Sequence, residues 1–225
     1  MSECNTSART KPGSCNNCFK CSRDTCGDKT LDQVAACYKE CHRTSGGKLE
    51  DGWMRACALA GCAGGLPKAI RIAATAHLCG LETAVDCQEP YCKHPHQHRR
   101  SNQTLKDFSE KILKDREQLE KAGDFSEITA VVQKAAGSTP GIGTLAVYDT
   151  SLRLACALGG ETMSEKYFPQ RVAIEAFAAG PKNGLDNFMK KTSFSRDELL
   201  TFFDNAGLVP AEVENLLCVC KNAMN

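Results

Sequence analysis

Four cysteines fall within twelve residues, at Cys15, Cys18, Cys21 and Cys26, and all but one of the residues between them are polar. A stretch of this kind has no apolar face to bury, so it is neither a core helix nor a core strand. Its order must come from cross-links, either a bound metal or disulfides. Twelve of the fifteen cysteines and all five histidines lie in residues 1–100. The front of the chain is therefore chemically unlike the rest.

Charge sharpens the contrast. Residues 1–100 carry 14 Lys and Arg against 10 Asp and Glu, whereas residues 101–225 carry 14 against 17. The net charge of the whole chain is only +1, which removes any global attraction to nucleic acid or to an anionic membrane. No apolar run reaches the ~18 residues a bilayer span needs, so no membrane partner is expected. The first residues, Met1 to Ser7, are polar and lack the apolar core of a secretory signal. A cytoplasmic protein with reduced thiols is the expectation, with a secreted protein as the alternative.

Periodicity and capping signals predict helices throughout. Thr30 and Gln33 form a capping-box pair ahead of a helix over 31–43, and Pro67 suits the first turn of one over 67–79 after another over 51–62. Further helices are expected over 105–121, capped by Thr104, and over 125–136, capped by Asp124. Others follow over 144–158, 169–179, 182–191, 196–206 (opened by Ser195 and Glu198) and 210–222, opened by Pro210. No segment alternates like a strand. The expected fold is all-α: a Cys-rich helical module over 1–92, a His- and Arg-containing linker over 93–103, and a second helical module over 104–225.

The thiol spacing admits three chemistries. Pairs of cysteines with two residues between them place two sulfurs on one zinc ion, and Cys37 and Cys41, one helical turn apart, or His42, are placed to complete a site. The same start resembles an iron–sulfur run, although the gap before Cys26 departs from it. Disulfides are the third reading, since the twelve cysteines in residues 1–92 form an even number. A second candidate metal site combines Cys87 and Cys92 with His94, His96 and His98. Cys57, Cys62, Cys79, Cys156, Cys218 and Cys220 sit among aliphatic residues and read as core.

The run Thr139, Pro140, Gly141, Ile142, Gly143 lies between two predicted helices, with the small Ala146 three positions on. Over about thirty residues, this arrangement resembles the helix–hairpin–helix motif of DNA repair and recombination proteins. The resemblance implies that the glycines permit positive φ and that the backbone amides at the start of the next helix, from Thr144, meet a DNA phosphate. The base-excision glycosylases that share the hairpin place a catalytic Lys where this chain has Leu145, and their catalytic Asp falls near Met163. Glycosylase activity is therefore not implied. The stretch from Gly141 to Arg153, with Phe168, Pro169 and the ending from Glu212 to Cys218, also resembles an uncharacterised bacterial family.

These features together predict a zinc-stabilised, non-catalytic protein that binds nucleic acid or phosphate through Gly141, Gly143 and Thr144. Lys93, Arg99 and Arg100 supply the positive charge. Two alternatives stand beside it. One is an iron–sulfur or thiol-redox enzyme acting on a phosphorylated or nucleic-acid substrate, and the other is a secreted disulfide-rich interaction protein.

Overall fold

The structure, a computed structural model, describes residues 29–42, 52–77, 99–159, 166–176, 178–221 and 223. The fold is all-α, with no strand among the described residues. The helices are α1 (Leu31–His42), α2 (Gly52–Thr75), α3 (Asn102–Lys114), α4 (Arg116–Lys121), α5 (Phe125–Gly137), α6 (Thr144–Gly159), α7 (Ala179–Thr192), α8 (Arg196–Asn205) and α9 (Pro210–Val219). No helix among the described residues is long and apolar enough to cross a membrane.

The chain divides into two compact units. The described residues between 52 and 168 form the first, and those over 29–42 and 169–223 form the second. In the first unit α2, α3, α5 and α6 close a ring: α2 packs on α6 and α3, and α5 packs on the same two helices. The ring closes because each helix carries an apolar stripe at helical spacing. On α3 the stripe is Leu105, Phe108 and Ile112, and on α5 it is Ile128, Val131, Val132 and Ala135, all buried.

In the second unit, Leu31, Val34, Ala35 and Tyr38 of α1 share one core with residues of α7, α8 and α9, among them Phe188, Phe203 and Leu217. Helices α7 and α9 approach backbone to backbone. A Cβ placed on Gly184 would collide with the Leu217 carbonyl, so glycine is the residue that this crossing accepts. Two side-chain bonds fasten α1. Asn215 donates to the Tyr38 hydroxyl at 2.9 Å, and Lys39 Nζ donates to the Ala206 carbonyl at 2.8 Å.

Local capping follows the sequence in most places. The Thr30 amide donates to Gln33 Oε1 at 3.0 Å, and the Gln33 amide donates to Thr30 Oγ1 at 3.3 Å. Asp124 caps α5, Ser195 and Glu198 form a full capping box on α8, and Pro210 opens α9. Other expectations are corrected. Ser101, not Thr104, caps α3: its hydroxyl accepts from the Thr104 amide at 3.0 Å. The helix expected over 105–121 is two helices meeting at Asp115, whose carboxylate pairs with Lys134 of α5 at 2.9 Å. By contrast, the helices expected over 51–62 and 67–79 are found as the two halves of α2, which ends at Thr75 and is broken just before Pro67 by the non-helical backbone of Gly65 (φ 73°, ψ 174°). Among its described residues, the segment expected as a helix over 169–179 holds a 3₁₀ turn, Ile174–Ala176, before α7 begins at Ala179. There Val172 and Ile174 pack against the second unit's core, and that burial outweighs local propensity.

Candidate anion-binding site

Helix α5 ends through its own side chains. Thr139 Oγ1 and Ser138 Oγ both donate to the Ala135 carbonyl, at 2.8 and 3.1 Å, and satisfy an oxygen that the helix end leaves open. The Ile142 amide then donates to the Thr139 carbonyl at 3.2 Å and closes a four-residue turn. Pro140 holds its second position and Gly141, at φ +86°, its third. A positive φ at that place is what a type II turn demands, so this glycine is dictated by the backbone. Gly143 follows, and its carbonyl accepts from the Val147 amide at 3.1 Å as α6 begins.

Because a glycine precedes the helix, no side chain is available there to cap it. Helix geometry leaves the amides of Thr144, Leu145 and Ala146 without intrahelical acceptors. The partial positive charge of the N-terminus of α6 gathers at the same place.

Arg100 lies across this turn. Its Nη1 is 3.6 Å from where a Cβ on Gly141 would stand, and its Nη2 is 3.8 Å from the equivalent point on Gly143. The guanidinium therefore spans both glycines, at a distance where a Cβ on either would be in ordinary contact with it. Arg99 is exposed beside it. Lys111 of α3 donates from Nζ to the Ser138 carbonyl, at the other end of the link.

The rest of α6 anchors the turn in the first unit. Arg153 is only 2% exposed. Its Nη1 donates to the Ala73 carbonyl in the last turn of α2 at 3.4 Å, and Thr150 Oγ1 donates to the same oxygen at 3.5 Å. A cation at a helix C-terminus meets the negative end of the dipole, so Arg153 caps α2 from a neighbouring helix. Asp149 Oδ2 pairs with Arg153 Nη2 at 3.7 Å, the i, i+4 ion pair that the spacing suggests. Arg153 Nε is buried without a hydrogen-bond partner among the described residues. Nothing in the sequence pointed to the Ala73 carbonyl as the partner of this arginine, because the contact joins residues far apart in the chain.

The structure brings Arg100, Gly141, Gly143 and Thr144 to one place. Lys93 lies outside the described residues, as do Cys15, Cys18, Cys21, Cys26, Cys87, Cys92, His94, His96 and His98. Cys41 lies on the described part of α1, but its side chain is not among those described. Cys37 is half-buried and packs against the core of the second unit. Among the described residues no group of three or more His, Cys, Asp or Glu side chains is placed to hold a metal ion. Cys57, Cys156 and Cys220 are buried and Cys218 is half-buried.

What these elements define is an all-α protein with a glycine turn feeding a helix N-terminus beneath an arginine. No protein-family model, curated protein or solved structure matches the chain.

Proposed function

We propose that this protein is a non-catalytic binding protein whose hairpin takes a phosphate group of a nucleic-acid backbone, and whose thiols at Cys15, Cys18, Cys21 and Cys26 hold zinc. The observation that carries the reading is the Arg100 guanidinium spanning Gly141 and Gly143 at the start of α6. A phosphate at that point meets outward-facing amides, a helix dipole of the right sign and a fork-shaped cation. Each of these contacts recognises phosphate and none reads a base, so the binding has little sequence preference.

The test is fluorescence anisotropy with a labelled duplex over a range of salt. Affinity falls by roughly tenfold as salt rises from about 50 to about 200 mM, as expected for some two neutralised phosphates. Arg100→Ala weakens binding to every sequence alike and lowers the salt slope by about one. Binding that ignores salt, or an Arg100→Ala variant that binds like the parent, contradicts the proposal.

A further inference from the structure

The second unit contains a thiol arrangement that the hairpin reading does not use. Cys220 ends α9 and is a buried member of the core, and Cys37, on α1, packs against that same core. The helices that carry them are pinned together one residue from Cys37, where Tyr38 accepts from Asn215. Cys218 is the other thiol at this end of α9, but its sulfur faces α7. A Cβ on Gly180 would lie 2.7 Å from Cys218 Sγ. Two residues apart on a helix end, Cys218 and Cys220 point in different directions. Of the two, it is therefore Cys220 that shares its surroundings with Cys37.

We propose that Cys37 and Cys220 form a redox-sensitive pair that closes into a disulfide and clasps α1 to α9. The co-reactant is a low-molecular-weight disulfide such as oxidised glutathione. The half-buried Cys37 loses its proton and its sulfur attacks one sulfur of that disulfide, releasing one glutathione thiolate and leaving a mixed disulfide. Cys220 then loses its proton, and its sulfur attacks Cys37 Sγ and expels the second glutathione. Two protein protons end on two glutathione thiols, and the two electrons pass to the small disulfide. The order of attack follows from exposure. Cys220 is buried in the core, so it is slow to meet a small disulfide from solvent as the first nucleophile. Cys37 is the more accessible of the two.

Such a bond joins segments at opposite ends of the sequence, where a cross-link constrains the unfolded chain most. The proposal is independent of the anion-binding reading.

The experiment uses the full chain, reduced, freed of reductant and then incubated with oxidised glutathione. After alkylation of the remaining thiols, it is digested with trypsin without reduction. Cys37 lies in the peptide over 30–39 and Cys220 in that over 197–221, which also contains Cys218. The expected result is one linked species joining the two peptides, with fragmentation placing the bond on Cys220. Its formation raises the urea midpoint of the wild-type chain. Cys37→Ser gives neither the linked species nor the rise, and it remains a usable control if Cys220→Ala does not fold. The proposal is overturned if peptide 30–39 is found joined to Cys218 or to another cysteine, carries only glutathione, or stays unmodified.

Discussion

The two units build their notable features in opposite ways. The candidate anion site of the first unit draws on consecutive residues from Ala135 to Val147, and among the described residues Arg100 and Lys111 reach it from elsewhere. The thiol end of the second unit exists only because α1 packs with helices of the C-terminal region. One is made by local backbone chemistry, the other by tertiary packing. Local chemistry leaves a mark in the sequence that a reader can find. Packing between distant segments leaves only two unremarkable cysteines.

The contrast can be broken most severely at Arg153, which together with Thr150 ties the α6 helix that bears the hairpin to the Ala73 carbonyl of α2. Arg153→Met removes one of the two donors on the Ala73 carbonyl and takes the Arg153 guanidinium away from the largely buried Asp149 carboxylate. Removing one partner of a buried pair costs about 3 kcal/mol or more, seen as a lower urea midpoint. If Arg153→Met is as stable as the parent, the hairpin does not depend on the Arg153 anchor.

Gly184→Ala tests the packing side of the comparison. Its new methyl meets the Leu217 backbone, which is unable to yield as a flexible side chain would. Prising α7 from α9 costs about 2 kcal/mol, read by the same unfolding curve. Alkaline pH sharpens the point further. Cys220 has its thiol raised to about 12 from an ordinary 9.0. A group raised in the folded state contributes stability below its unfolded value and loses it as pH climbs through the folded one. Stability is therefore expected to hold up to about pH 9 and to fall between there and about pH 12, with a shallower fall in Cys220→Ala. Tyr38, pushed up by burial and then eased partly back by Asn215, adds to the loss above pH 10.

The smallest effects separate local from tertiary terms. Tyr38→Phe removes the bond from Asn215 and costs about 1 kcal/mol. Ser101→Ala costs about 1 kcal/mol through the lost cap of α3, whereas Thr104→Ala costs less.

Much of the fold was legible for the same reason as the hairpin. Capping at Thr30, Asp124 and Ser195 and the start at Pro210 depend on side chains within three residues of the helix they open. The misreadings occur where distant groups intervene. Asp115 breaks a helix while pairing with Lys134, and Val172 and Ile174 leave a helical pattern to reach a core. At the site, Gly141 was readable because positive φ after proline has few solutions, and Arg100 was readable as charge. That its guanidinium spans the two glycines was not, since no periodicity links residue 100 to residues 141 and 143.

The most direct trial is an amide NMR titration of the full chain with inorganic phosphate and then with a short DNA duplex. The account predicts shifts concentrated on the amides of Gly143, Thr144, Leu145 and Ala146, lost in Arg100→Ala. Unmoved amides there, or shifts that persist without the Arg100 guanidinium, contradict it.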